Sequence, residues 1–115
     1  MQQRGWGRII CNTSGAGQRG LDIGVSTYGA AKAGQIGFMR HLAIETAAHG
    51  ITCNTISVGL VIENPQAVPH LADAIPLGRL GKPEDIGHVA VFLASEETSW
   101  VTGQIIGVNG GSLMP

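Results

Sequence analysis

Three residues of this chain have the types and spacing for proton chemistry at an oxygen: Ser14, Tyr28 and Lys32. Ser14 ends an apolar run, "GRIICNTS", while Tyr28 and Lys32 stand four apart in "STYGAAKAG". On a helix that spacing places the phenol and the ammonium one turn apart on a shared face. The residues around them, Ala30, Ala31, Ala33 and Gly34, are small enough to let another group approach closely. A phenol ionises near pH 10, so its use as an acid or base at neutrality requires about three pKa units, or about 4 kcal/mol. One unit charge at about 4 Å supplies roughly that at an effective dielectric near 20. A lysine one turn away is therefore the right size of effect. A purely structural account also exists, in which Tyr28 caps a helix, Lys32 is a solvated charge and Ser14 closes a local turn.

The elements that must position these residues are legible from pattern. "GRIICNTS" (7–14) is apolar at Ile9, Ile10 and Cys11 and bounded by Gly and Ser, which predicts a buried strand. From Ser26 or Thr27, the residues Ala30, Ala33, Ile36, Gly37, Met39, Ala43 and Ala47 recur at helical spacing, and the helix should run to His49. Gly50 then supplies a left-handed stop. "ITCNTIS" (51–57), rich in β-branched residues, predicts a second strand. "GKPEDIGHVAVFLAS" opens a second helix, with Pro83 in its first turn and Glu84 and Asp85 complementing the helix dipole. "GQIIGVNGG" (103–111) predicts a third strand. Strand, helix, strand, helix, strand describes an α/β fold with a parallel sheet, each strand apolar on both faces beneath covering helices.

Composition narrows the function classes. Hydrophobic residues make up 43 % of the 115 and charged residues 13 %, a balance that suits a packed interior and excludes disorder. A formal net charge of −1 offers no electrostatic case for nucleic acid or an anionic membrane. Cys11 and Cys53 lie in apolar runs without metal-type or redox-type spacing, as reduced, buried thiols do. A disulfide between them requires neighbouring strands. No basic-then-apolar leader occurs, and no apolar run approaches the ~20 residues of a membrane span, so a soluble, cytoplasmic protein is expected.

Several tempting groups do not carry chemistry. "GAGQRG" (15–20) has the G-x-G-x-x-G spelling, but "LDIGVS" follows, and Gly24 breaks the helix whose N-terminus would face a pyrophosphate. The acidic residue that should lie about twenty positions on is Glu45, which falls mid-helix. A flexible loop over a site is the better reading. His41 and Glu45 share a helix face but have no third ligand. His49, His70 and His88 are expected at the surface or an interface. Arg79 and Lys82 are expected to be solvated or paired with Glu84 and Asp85, and Trp6 and Trp100 to serve as packing or interface aromatics.

With Ser14, Tyr28 and Lys32 in place, the chain resembles the short-chain dehydrogenase/reductase family. The matching stretches are "GRIICNTSGAG", "STYGAAKAG", "HGITCNTISVG", "PLGRLGKPEDIGHVAVFLASEETSWVTGQ" and "VNGG". They fall in the family's order with nearly its spacing. The resemblance implies the last three strands, with their helices, of a Rossmann-type doubly wound parallel sheet. It also implies an oxidoreductase using NAD or NADP on a small-molecule alcohol or carbonyl substrate, in a homo-oligomer. Tyr28 would be the general acid or base, Ser14 would bind and polarise the substrate oxygen, and Lys32 would hold the nicotinamide ribose and favour the phenolate. Gly59 matches the glycine of the family's Pro-Gly turn, although Val58 replaces the proline. Val61 takes the position whose backbone meets the nicotinamide carboxamide, and Glu63 stands where a threonine often contacts the cofactor. Residues 64–74 resemble a shortened substrate lid, read as a loop or frayed short helix.

The family's chain is about twice as long, and its first half carries the nucleotide site. That half has a Thr-Gly-x-x-x-Gly-x-Gly turn, a charged residue ending the second strand, an Asn-Asn-Ala-Gly stretch and a catalytic asparagine. None of these occurs within 1–115. The resemblance therefore implies that residues 1–115 are the C-terminal catalytic half of such a domain, that Met1 is internal to it, and that this half alone does not turn over. Nothing within these residues separates NAD from NADP, and Arg19 lies too far along the catalytic loop to serve a 2′-phosphate. The rival reading is a non-catalytic dinucleotide-binding or assembly module of the same fold, which would have no use for the serine, tyrosine and lysine together.

Overall fold

The computed structural model describes residues 1–114. Its centre is strand β2 (Ile51–Val58), which lies between β1 (Gly7–Ser14) and β3 (Ile105–Val108) in one parallel sheet of order β1-β2-β3. The registers run from Gly7 opposite Ile51 to Ser14 opposite Val58, and from Thr55 opposite Ile105 to Val58 opposite Val108. The three C-terminal strand ends are therefore level. Ser14, Val58 and Val108 share one edge of the sheet, the side on which open parallel sheets place their ligands.

Helix α1 (Ser26–Thr46) covers one face of the sheet. Its buried residues, Ile36, Met39, Ala43 and Thr46, form a narrow stripe at spacings of three and four. Met39 and Ala43 join Ile51 and Cys53 in the core, flanked by Ile9, Cys11 and Leu42. Ala30, Ala33 and Ala47, predicted on the same stripe, are exposed instead. After Thr46 the chain tightens into a 3-10 turn (Ala47–His49) and stops at Gly50, φ 66°, where the expected left-handed end is found. A side chain at Gly50 would also collide with the Gly5 carbonyl.

Helix α2 (Pro83–Ala94) packs against all three strands, with Pro83 in its first turn and Leu93 fully buried. Arg8 of β1 ties down its far end: Nε donates to the Ser95 carbonyl at 3.1 Å, placing a cation at the negative end of the helix. The same guanidinium lies 4.8 Å over the Trp6 ring. Trp100, by contrast, is 98 % exposed and packs nothing within the chain.

Two expectations about the strands need correction. The third strand was expected over 103–111 but spans only Ile105–Val108, because Gly103, Gly110 and Gly111 adopt φ values of 70°, 63° and 87° that leave the extended region. Nor is β2 apolar on both faces, since Thr52, Asn54, Thr55 and Ser57 are buried along with Ile51, Cys53 and Ile56. Among these polar side chains, Asn54 is met by the segment before β3. Asn54 Nδ2 donates to Val101 O at 2.8 Å, and Asn54 Oδ1 accepts from Gln104 N at 3.1 Å. Cys53 N donates to Thr102 Oγ1 at 3.0 Å. These bonds carry the chain across to its β3 register, while the Ser57 hydroxyl stays buried without a hydrogen-bond partner. Cys11 and Cys53 lie on neighbouring strands and are both free thiols.

Among the described residues β1 pairs only with β2, so its outer edge offers a row of free N–H and C=O groups. Helix α1 turns Phe38 (63 % exposed) and Ile44 (79 %) away from the core. The expected behaviour of residues 1–115 as an isolated chain is self-association through these surfaces, read as a concentration-dependent rise in sedimentation coefficient. A monomer that persists across micromolar concentrations would contradict it.

Candidate active site

Ser14 is both the last residue of β1 and the cap of the 3-10 turn Gly15–Gly17: its Oγ accepts from Ala16 N at 3.3 Å. One lone pair is thereby used while the hydroxyl proton remains to be donated. The loop expected after Ser14 thus begins as an ordered turn, with Gln18 N and Arg19 N both donating to Gly15 O at 2.9 and 3.1 Å. No α-helix opens on "GAGQRG", in keeping with its rejection as a dinucleotide fingerprint.

Absent side chains bring this turn against α1. A Cβ on Gly17 would lie 2.7 Å from the Lys32 carbonyl carbon and 2.8 Å from Ala33 N, and one on Gly29 would lie 3.1 Å from Ala16 O. Thr13 Oγ1, next to Ser14, donates to the Lys32 carbonyl at 3.1 Å. The strand end, the turn and the helix are thus fixed to one another at the backbone of Lys32. Sequence reading passed over Thr13, whose only signal was a hydroxyl on the face of β1 that otherwise presents Ile9 and Cys11 to the core.

On this frame Lys32 Nζ lies 5.4 Å from the centroid of the Tyr28 ring, within the range of a cation–π contact. Tyr28 is 48 % exposed. It caps nothing, since the helix begins after Val25 with no side-chain cap. Among the described residues the Lys32 ammonium makes no salt bridge and no hydrogen bond; the ion pair present joins Arg79 to Asp85. A half-buried cation beside a phenol, with no carboxylate to neutralise it, can bind a hydroxyl-bearing ligand.

The remaining two candidates, Gly59 and Val61, follow β2. Gly59 follows β2 at the level edge, donating its N–H to Val108 O at 3.0 Å. A Cβ there would lie 2.6 Å from Asn109 Cα, so the close crossing of the two chains requires glycine. Val61 forms a bridge with Gly81 and lines a cavity of about 290 Å³ with Leu60, Ile75, Arg79 and Asn109. Asn109, unassigned from sequence, organises the turn after β3: Oδ1 accepts from Gly111 N and Nδ2 donates to Leu113 O, both at 3.0 Å. Its signal was the Asn-Gly-Gly spelling of a turn. The lid stretch is two 3-10 helices, Pro65–Ala67 and Pro69–Ala74.

Comparison with known proteins bears on this arrangement. The family model described as enoyl-(acyl carrier protein) reductase matches residues 1–112. The chain belongs to the short-chain dehydrogenase/reductase family. Its relatives include an acetoacetyl-CoA reductase of Shinella zoogloeoides, 44 % identical over 118 residues, covering 96 % of this chain and 48 % of the relative. A 3-oxoacyl-[acyl-carrier-protein] reductase FabG of Rickettsia conorii is 42 % identical over 120 residues, covering 99 % and 49 %. The crystal structure of YwfH, an NADPH dependent reductase involved in bacilysin biosynthesis, superposes with a TM-score of 0.89 at 29 % identity over 99 % of this chain and 50 % of that one. The chain spans about half the length of the relatives it matches. Membership in the short-chain dehydrogenase/reductase family accounts for the partial Rossmann-type sheet and for the order of its sequence blocks.

Away from the strand edge, Arg79 meets Asp85 through two bonds, Nη1 to Oδ2 at 2.7 Å and Nη2 to Oδ1 at 2.9 Å, while Lys82 N donates to Asp85 Oδ2 at 2.8 Å. Of the partners expected for Arg79, Asp85 is the one it takes. The Arg79 hydrogen bond, followed by the Lys82 N–H, holds the Asp85 carboxyl well below the usual carboxylate range. A carboxyl lowered on folding contributes stability that is complete above its unfolded value near pH 4 and is lost as the pH falls toward its folded one. Arg79→Met should therefore flatten the acid limb of a plot of thermal midpoint against pH while changing its slope little above about pH 5. An unchanged acid limb would show that the pair does not couple to folding.

Two glycines, Gly17 in the turn packed against α1 and Gly34 within α1, make opposite predictions. Gly17→Ala forces backbone apart at Lys32 and should destabilise by about 1–3 kcal/mol. Gly34→Ala meets nothing within 4 Å on an exposed helix face and should stabilise by about 0.5–1 kcal/mol. Urea unfolding at matched protein concentration reads both, and effects of the same sign would show that the loop does not rest on the helix as described.

Proposed function

We propose that residues 1–115 are the C-terminal catalytic half of an NAD(P)-dependent oxidoreductase that interconverts a small-molecule alcohol and a carbonyl. The NADPH dependence stated for YwfH favours NADPH. One observation carries the reading: the Lys32 ammonium, with no carboxylate partner, stands beside the Tyr28 phenol on a helix fixed to the strand end that bears Ser14.

The residues present fit a nicotinamide cofactor, because an unneutralised Lys32 at the level strand edge suits a ribose diol. Lys32 and Tyr28 would hold the ribose, with the backbone at Gly59 and Val61 beside the nicotinamide. When bound, that cofactor supplies or accepts the hydride. In the reducing direction Tyr28 gives its proton to the substrate oxygen as that oxygen gains negative charge, and in the oxidising direction it takes the proton back. Ser14, whose oxygen already accepts from Ala16 N, turns its own O–H toward the substrate oxygen and orients the carbonyl. Lys32 favours the phenolate side of the transfer through its charge. The relatives named as acetoacetyl-CoA and 3-oxoacyl-[acyl-carrier-protein] reductases support a carbonyl β to a thioester as the group reduced.

The test is made in the full-length protein. Tyr28→Phe should lower kcat by about 10³-fold or more while leaving cofactor binding largely intact, since the proton donor is lost but Lys32 still holds the ribose. Lys32→Ala should impair both. Near-normal turnover by the Phe variant would overturn the assignment of the acid/base group. Residues 1–115 alone should show weak cofactor binding or none by calorimetry, because the adenosine and pyrophosphate lack their contacts.

A further inference from the structure

The loop after Ser14 borders an open surface depression whose chemistry none of the roles above uses. It holds about 540 Å³ and is lined by Gln18, Arg19, Leu21, Val25, Ser26 and Gly29 among others. That volume is within the ~300–1,000 Å³ of small-molecule sites. One wall is the segment that follows Ser14, and the other is the start of α1, which bears Tyr28. Its polar side chains are donors: the Arg19 guanidinium, the Gln18 amide and the Ser26 hydroxyl. Asp22, the loop's one carboxylate, does not line it.

Arg19, like Arg4 and Arg40, has no ion pair among the described residues, and of these three it is the one that lines this depression. Arg79 is clasped by Asp85, and Arg8 is committed to the Ser95 carbonyl and the Trp6 ring. The Arg19 side chain has no ion pair and no hydrogen bond among the described residues, yet its backbone is held, its N–H donating to Gly15 O at 3.1 Å. A cation with a fixed root and an unused fork, beside a depression without a carboxylate, is arranged to receive a planar or tetrahedral oxyanion.

We propose that Arg19 binds the anionic end of the substrate, so that the enzyme selects carbonyl compounds bearing a carboxylate or a phosphate. The inference rests on the alcohol–carbonyl reading above: Ser14 holds the reacting oxygen and Arg19, five residues on, holds the charge. Two sources share this chemistry, the carboxylate of an oxo acid and the phosphate of a phosphopantetheine arm.

Calorimetric titration of the full-length protein with acetoacetate and, separately, with 4′-phosphopantetheine distinguishes them without requiring turnover. At least one should bind, about ten-fold or more weakly to Arg19→Gln, with Arg19→Lys falling between. The compound that responds identifies the source of the anion. Failure of both to bind, or equal binding to the Gln variant, overturns the proposal. In kinetic assays the ratio of kcat/KM for the matching anionic ketone to that for neutral ethyl acetoacetate should fall about ten-fold or more in Arg19→Gln. Carbonyl reduction with an unchanged ratio would defeat the anion site and leave the proposed function standing. Arg19-dependent binding with no reduction of any ketone would do the reverse.

Discussion

The candidate site depends on a contact between two stretches of bare backbone. Gly17 lies against the main chain of Lys32 and Ala33 so closely that a methyl group could not be inserted, and Gly29 approaches the Ala16 carbonyl. Thr13 closes the contact with a hydrogen bond to the Lys32 carbonyl. Side chains can adjust by rotating, but backbone in contact with backbone has little freedom to do so. The position of the Lys32 root relative to Ser14 is therefore set by excluded volume and one hydrogen bond. Within that frame the charge on Lys32 stands 5.4 Å from the Tyr28 ring.

A second constraint lies in β2. A central strand covered on both faces would ordinarily be apolar, yet this one buries an asparagine, two threonines and a serine. Asn54 uses both ends of its amide to hold the segment leading into β3, and the neighbouring Cys53 N–H engages Thr102. The buried polarity thus specifies register: a slip of β3 by one residue would strand each of those groups without a partner. The level placement of Val58 with Val108 follows from that register, while the pairing of β1 with β2 sets Ser14 opposite Val58.

Much of this was legible in the sequence because it is local. Ile36, Met39 and Ala43 mark the buried stripe of α1 by their spacing, Gly50 marks its end by chirality, and Pro83 marks the start of α2 by its missing N–H. The tyrosine–lysine pair was legible for the same reason, being one helical turn. What escaped depended on distant chain. The short β3 follows from three glycines whose positive φ is imposed by turns at either end, whereas the apolar pattern alone suggested a longer strand. The bridge of Val61 with Gly81 is a pairing across the lid, and the role of Thr13 is a bond to a residue nineteen positions on. Trp100, bulky enough to suggest packing, is left outside because the turn before β3 carries it past the end of α2.

The parallel register has a kinetic side. Each strand pairing must wait for a whole helix to be made and folded back, and the bonds that fix β3 join residues about fifty apart in the chain, 49 for Thr102 with Cys53 and 50 for Gln104 with Asn54. The Arg8 tether to the end of α2 spans 87. Loop closure over such distances precedes any reward from the contacts made, so α1 can form in microseconds while the sheet assembles much later. During synthesis the edge of β1 that β2 covers has no partner until residues beyond Gly50 have left the ribosome. The interval before β2 arrives is when a holdase chaperone has most to protect.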